Sequence, residues 1–343
     1  MSKLRNLALA GLTATVFISA TTSRSFAVEP ADFENYLRGA TVGLPLGAAP
    51  PPGLYTGLST LYGVNSYAHG NQALPTPTDF PSLGVGVPIL WSTPWSMLGA
   101  SYSAALVQGF YVAYSWATNA GGPPFGPGQS AGISPEIANT SFTPIRLSWN
   151  LGQGWFFAGA FSFVAPDGSQ APSNFAAGGG PQLNPDYWSF EPGWAISYLS
   201  KDWTASANFL YVINTASKGT CCGLGGPVPA APGQGFITGN VLFLDASVTY
   251  KFGKWELGPI AYAKFQTTAD VPGGGIACTP AMCGFEQQIN LGALVGYDFG
   301  PVDLQVWAAD DVLCRNANCG FDVWTRWSFK IWSPEAKPMV AKN

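Results

Sequence analysis

Apolar and polar side chains alternate along segments of about ten residues, and these segments recur from residue 53 almost to the end of the chain. One such segment, residues 285–299, places Ile289 and Val295 on one face and Gln288 and Asn290 on the other. Successive side chains of a β-strand point to opposite faces, so each segment has an apolar and a polar face. The pattern predicts an all-β fold made of two-faced strands.

The connections between these segments are of two kinds. Joins after even-numbered segments are short, as at residues 152–153 and 253–254, whereas joins after odd-numbered segments are long and rich in Gly, Pro, Ser and Asn. Alternation alone would also suit a β-sandwich, but transmembrane barrels combine short periplasmic turns with long external loops and an even strand number. We therefore predict a transmembrane antiparallel up-and-down β-barrel of about 12 strands within residues 53–332. The predicted strands span residues 53–65, 83–92, 98–116, 137–150, 154–165, 187–199, 202–214, 241–252, 255–267, 285–299, 301–310 and 320–332.

Composition supports a membrane location. Charged residues make up 10% of the chain and aromatic residues 14%, whereas a soluble protein has roughly 25% charged residues. No apolar run of about 18 residues follows the N-terminal region, which excludes a helical membrane protein. Trp149, Trp155 and Trp203 lie beside short joins, where an interfacial aromatic girdle is expected. The net charge of −4 gives no indication of nucleic-acid binding.

The N-terminal region resembles an export signal. Lys3 and Arg5 precede an apolar stretch at residues 7–18, and Ser25 and Ala27 supply the small residues of a cleavage site. We predict a cleaved signal peptide over residues 1–27; an uncleaved anchor helix is the alternative. Residues 28–52 would lie either in the periplasm or in the barrel lumen as a plug, and residues 333–343 would form a C-terminal tail.

All six cysteines fall in long joins of the predicted topology. An even number of cysteines in an exported chain favours disulfides over free thiols, although their connectivity cannot be read from the sequence. Zinc binding is disfavoured because no histidine is close and no CxxC spacing occurs, so no metal site is predicted. The disulfide candidates are Cys221, Cys222, Cys278, Cys283, Cys314 and Cys319.

No group of residues predicts catalysis. His69 is the single histidine and falls in the first long join, with no arrangement that would make it the base for a serine. We expect neither an enzyme nor a bound cofactor.

Charged residues on the polar faces are the candidates for a solute pathway. Acids and bases are mixed there, which does not predict a lumen selective for anions. Each residue could instead serve in a structural ion pair. The sharper hypothesis is that Arg146, Glu191, Glu286 and Arg326 form a constriction that orients solutes. The inward charged residues are Arg146, Glu191, Asp245, Lys251, Glu256, Lys264, Glu286, Asp298, Asp303, Asp322, Arg326 and Lys330.

Several short motifs, in order along most of the chain, resemble the meta-pathway phenol-degradation family of outer-membrane transporter-like β-barrels. The motifs are Pro50–Tyr55, Ile145–Trp149, Tyr187–Pro192, Thr204–Asn208 with Tyr211 and Asn214–Thr215, and Gly296–Val302. This sequence departs from the resemblance in two places. Eleven residues follow Trp332, where many outer-membrane proteins end at an aromatic residue, and the long joins contain cysteines.

The resemblance implies an outer-membrane channel for passive uptake of small hydrophobic solutes, aromatic compounds among them. Its partners would be outer-membrane lipid, a small-molecule solute and the barrel-assembly machinery, with no nucleic acid. The alternative is a structural or adhesive barrel whose external loops are stiffened by disulfides.

Overall fold

The computed structural model describes residues 34–69, 72–73, 80–115, 132–169, 184–217, 237–269 and 285–334. The predicted signal peptide lies outside these residues, as does most of the predicted tail. The strands are β1 (Gly53–His69), β2 (Gln72–Ala73), β3 (Phe80–Met97), β4 (Ala100–Ser115), β5 (Gly132–Ile137), β6 (Thr140–Gly152), β7 (Trp155–Ala165), β8 (Ser189–Leu199), β9 (Trp203–Asn214), β10 (Val241–Phe252), β11 (Trp255–Gln266), β12 (Gln287–Asp298), β13 (Val302–Arg315) and β14 (Ala317–Trp332).

Twelve of these strands form a closed antiparallel ring. Each long strand pairs with the next one along the chain, and β14 pairs with β1 from Trp332 opposite Leu54 to Ala317 opposite Ala68. The short strands β2 and β5 add to β1 and β4 at the long-loop end, outside the ring order. Closure gives each of these twelve strands a neighbour on both sides, as a lipid environment requires. The predicted 12-strand barrel is confirmed.

The two faces of the strands differ as the alternation predicts. On β12, Leu291 and Val295 are 51% and 39% exposed, whereas Gln288 and Asn290 are fully buried. The exposed side chains point outwards and the buried ones point into the lumen. Aromatic pairs line the outer surface near the short turns. In one of them, the rings of Trp155 on β7 and Tyr198 on β8 have their centroids 5.1 Å apart. This placement matches the interfacial girdle of an outer-membrane barrel.

Tight turns close the strands at one end of the barrel. The turn between β6 and β7 needs positive φ angles at Gly152, Gln153 and Gly154. At Gly154, where φ is +83°, a Cβ atom would collide with the carbonyl oxygen of Leu199, so glycine alone fits without strain. The first residue of β1, Gly53, and the last residue of β14, Trp332, lie at this same end of the barrel.

The prediction of a long join between the last two strands is wrong. Strand β13 continues to Arg315 and β14 begins at Ala317, so a turn at Asn316, with φ of +50°, replaces the predicted loop. Cys314 and Cys319 face each other across this hairpin and are joined by a disulfide, with Cα atoms 5.8 Å apart. Asparagine tolerates the left-handed conformation better than most residues, which suits it to the turn between the two strands. Beyond Asp310, β13 pairs with β12, and before Phe321, β14 pairs with β1.

The other four candidate cysteines, Cys221, Cys222, Cys278 and Cys283, lie outside the described residues, so their disulfides stay a prediction. Within the described ranges, no helix has the length and apolar character needed to cross a membrane.

Candidate functional site in the barrel lumen

Residues 34–52, which we call the luminal segment, run through the inside of the barrel. Their hydrogen-bond partners include Ser148 on β6, Ser197 on β8, Asp245 on β10 and Arg326 on β14. These strands lie on different sides of the ring, and only a segment inside the ring can reach all of them. The sequence had left open whether this segment lies in the lumen or in the periplasm.

Asp245 is one of the main attachment points of the luminal segment. Its carboxylate accepts hydrogen bonds from the Tyr36 hydroxyl at 2.8 Å, the Gly39 amide at 3.0 Å, and the Thr41 amide and hydroxyl at 3.0 and 2.6 Å. Asp245 is 3% exposed. A buried carboxylate is costly unless donors surround it, and here the luminal segment supplies those donors.

Arg326 holds the same segment from β14, which is four strands away from β10 in the ring. Its guanidinium donates to the carbonyl oxygens of Ala40 at 2.5 Å and Val42 at 2.7 Å, and to the side chain of Gln305 at 3.1 Å. It also lies 4.6 Å from the ring centroid of Trp307, a cation–π contact. The planar guanidinium can satisfy several acceptors at once, which suits it to hold two successive turns of backbone.

Serine side chains fix the end of the segment nearer β1. The Gly47 amide donates to Ser197 at 2.8 Å, while Ser148 donates to the Gly47 carbonyl at 2.6 Å and accepts from the Ala49 amide at 3.1 Å. Arg146 donates to the Leu46 carbonyl. A Cβ on Gly47 would come within 2.6 Å of the Ser197 amide nitrogen, so the backbone can approach the wall this closely only at a glycine.

Two apolar clusters also pack the luminal segment against the wall. Val42 is buried against the first, and Tyr36 packs against the second, with its ring centroid 4.8 Å from that of Phe243 and the two rings tilted by 59°. A polar lumen would not retain these side chains, so the apolar clusters contribute to docking. The inward residues of the first cluster are Ile260, Tyr262, Leu294, Trp307, Ala309 and Trp324, and those of the second are Leu210, Val212, Val241 and Phe243.

Sequence reasoning missed this inward apolar wall. Trp307 and Trp324 stack at 5.5 Å in the lumen, although aromatic residues were expected in the outer girdles. The alternation itself was the available signal. Trp307 is two residues from Gln305 and Trp324 is two residues from Arg326, so each tryptophan lies on the same inward face as its polar neighbour.

Other predicted lumen residues also make structural contacts. Lys264 forms an ion pair with Glu34 of the luminal segment, with N and O atoms 2.7 Å apart, and a second ion pair with Glu286. Glu256 accepts hydrogen bonds from Gln305 at 3.3 Å and from Thr249. Asp322 pairs with Arg38 at 3.2 Å. Four further candidates are exposed: Lys251, Asp298, Asp303 and Lys330.

A cavity of about 480 Å³ remains in the lumen beside the luminal segment. Most of its wall is aliphatic or small, with Leu44, Leu90, Val107 and Ala158 among its residues. Of the predicted constriction residues, Arg146, Glu191 and Arg326 lie in this wall. Glu286 is not part of it and pairs with Lys264 instead. Asp245, Glu256, Lys264 and Asp303 are likewise absent from the wall.

The comparison with protein families agrees with this architecture. Residues 65–327 match the family described as "Putative MetA-pathway of phenol degradation". The chain belongs to this family. The match covers ten complete barrel strands and parts of the other two. No curated protein matches the chain in sequence.

One solved structure shares the fold, and others are similar at lower TM-scores. The COG4313 outer membrane channel from Pseudomonas putida F1 superposes with a TM-score of 0.66 at 12% identity, covering 84% of this chain and 98% of the channel. The toluene transporter TbuX of Ralstonia pickettii has a TM-score of 0.43 at 11% identity, covering 90% of this chain and 95% of its own. The translocator domain of the autotransporter NalP of Neisseria meningitidis gives 0.45 at 11% identity, covering 82% and 89%. Family, closed barrel and apolar outer face together place the chain in the outer membrane.

Proposed function

We propose that this protein is a passive outer-membrane channel for small hydrophobic solutes, aromatic compounds among them, and not an enzyme. The observation that carries the proposal is the largely aliphatic cavity inside the barrel. Its volume of about 480 Å³ falls within the roughly 300–1,000 Å³ of small-molecule sites. An aliphatic wall binds apolar solutes by removing their surface from water, and it gives little to sugars or ions.

The luminal segment would set the width of the pathway. A barrel of twelve strands is intermediate between filled eight-stranded barrels and open porins, so its conductance depends on what occupies its interior. The docking contacts of Asp245 and Arg326 narrow this lumen to a space for small molecules. In this proposal Arg146 and Arg326 shape the pathway by holding backbone carbonyls of the segment.

The relatives supply independent support. The family description refers to phenol degradation, and a cell that degrades phenols has to take aromatic compounds across its outer membrane. We further propose that a signal peptide exports the chain and that the barrel-assembly machinery inserts it.

Single-channel conductance in planar bilayers tests the proposal, with and without a phenolic solute. We expect small, stable current steps that the solute reduces, since an occupied cavity obstructs ions. Arg146→Ala should change the step size, and Asp202→Ala, in a short turn between β8 and β9, should not. A folded barrel with no current steps, and no uptake of aromatic solutes in cells, would refute the channel and favour the structural or adhesive role.

A further inference from the structure

Among the described residues of the cavity wall, two side chains have a buried polar atom without a hydrogen-bond partner: Glu191 at Oε1 and Trp324 at Nε1, and only the first is an acceptor. Glu191 is the third residue of β8, lines the luminal cavity and is 3% exposed. No donor from the part of the chain that the structure describes reaches its Oε1 atom. A buried carboxylate oxygen without a donor is unfavourable by about 1–3 kcal/mol or more, so its presence calls for a partner.

Polar neighbours in the same wall are committed elsewhere. Ser162, which is opposite Glu191 in the β7–β8 pairing, bonds to Thr143 at 2.7 Å. The Tyr36 hydroxyl donates to Asp245, and the Asn208 side-chain amide donates to Thr41 at 3.0 Å. None of these groups forms a hydrogen bond with the Oε1 atom of Glu191.

We propose that Glu191 is the specificity-determining residue of the cavity and accepts a hydrogen bond from the hydroxyl group of a neutral aromatic solute. This inference rests on the proposed channel function and names the class of solute: a compact aromatic alcohol of the phenol type. The apolar part of the wall contacts the ring. Glu191 accepts a hydrogen bond from the hydroxyl group, and the proton stays on the solute.

The charges of the wall select a neutral solute. Arg146 and Arg326 line the same cavity as Glu191, so a cationic solute would meet two guanidinium groups. An anionic solute would meet the carboxylate and would lose its own hydration in a largely apolar space. A neutral molecule with one donor avoids both costs and can donate a hydrogen bond to the side chain of Glu191, which lines the cavity.

Phenol and anisole form a matched pair of probes for this proposal. The two molecules have the same ring, but the methyl ether of anisole cannot donate a hydrogen bond. Equilibrium binding of each to the folded full-length barrel in detergent can be measured by isothermal titration calorimetry, with empty micelles as the reference for partitioning. We expect phenol to bind about tenfold more tightly than anisole, as one additional hydrogen bond of about 1.4 kcal/mol allows.

Variants of Glu191 separate the hydrogen bond from packing. Glu191→Leu should reduce the preference for phenol to less than about twofold while retaining anisole binding, because the aliphatic wall remains. Glu191→Gln keeps a side-chain oxygen and should retain part of the preference. Asp202→Leu, a matched change outside the cavity, should leave it unchanged. Heat-modifiable migration on gels shows that each variant is folded.

Two results would overturn the inference: equal binding of phenol and anisole to the wild-type barrel, or an undiminished preference in a folded Glu191→Leu variant. Either result would leave the channel function standing if both solutes bind and reduce the single-channel current. Absence of binding of either solute, together with absence of conductance, would refute the channel function itself. The failures of the two proposals are therefore distinguishable.

Discussion

Replacing Asp245 by alanine should release the first part of the luminal segment. The carboxylate accepts four hydrogen bonds from Tyr36, Gly39 and Thr41, and removing it leaves two backbone amides without their acceptor. A hydrogen bond to a charged group contributes about 1.5–3 kcal/mol, but bonds that share one carboxylate are not additive. The loss of a buried charge also removes its desolvation cost.

Taking these effects together, we expect docking of the segment to weaken by about 3 kcal/mol. This is roughly a hundredfold increase in the undocked population, since 1.4 kcal/mol corresponds to a factor of ten. The contacts of Arg326 with Ala40 and Val42 and the serine contacts farther along the segment remain, so the release should be local to the residues before Ala40. The barrel strands themselves should stay paired.

Trypsin measures this release directly. Arg38 is the only lysine or arginine between residues 25 and 145, and its side chain is 18% exposed in the docked segment. In the Asp245→Ala variant, cleavage after Arg38, followed by mass spectrometry, should be much faster than in wild type. Single-channel current should rise in parallel, because the lumen becomes wider.

Asp202→Ala is the matched control, since it removes a carboxylate in a short turn that makes no described contact with the segment. Wild-type rates of cleavage after Arg38 in a folded Asp245→Ala barrel would refute the argument that this carboxylate holds the segment in place. An increase in both variants would show instead that the change acts through general loosening of the barrel.

Three further predictions concern other parts of the lumen and the last hairpin. Arg326→Ala should increase single-channel conductance severalfold, and Arg326→Lys should correct this only in part, because an ammonium cannot bond two carbonyls in the same plane. Gly47→Ala should displace the segment and speed its proteolysis, whereas Gly159→Ala, where a Cβ meets no atom within 4 Å, should behave as wild type. Replacing Cys314 and Cys319 by serine should lower the free energy of unfolding by no more than about 2 kcal/mol in urea titrations, while proteolysis at the hairpin tip increases.

The regular part of the fold could be predicted because each strand carries its own signal. Side chains on β12 alternate between lipid and lumen, so Leu291 and Asn290 fall on opposite faces in the sequence and in the structure. The short turns were recognisable from glycines such as Gly253, whose φ of +63° suits a tight connection. Both signals lie within a few residues of the chain and require no tertiary contact.

The last hairpin shows where local signals failed. Residues 311–319 contain two cysteines, an aspartate and two asparagines and lack apolar alternation, which favours a loop. Both strands nevertheless extend towards the tip, because β13 pairs with β12 as far as Arg315 and β14 pairs with β1 from Ala317, whereas pairing between β13 and β14 ends at Asp310 and Phe321. The alternation pattern identifies the part of a strand that faces lipid. It does not show where a strand extends beyond the membrane.

The sequence by itself determined that the chain is a membrane barrel with polar inward positions, since alternation, turn parity and low charge all act locally. Only the tertiary structure decided what those inward positions do. Asp245 and Arg326 are far apart along the chain, yet the closed ring places both around residues 36–42. Glu191 is an inward-facing acid, like others that make structural contacts in the lumen. It became a candidate for solute recognition only once the structure showed that its neighbours bond to other groups. The physical reason is that the sequence pattern sets the direction of a side chain, whereas the contacts across the lumen depend on how the whole ring closes around the segment inside it.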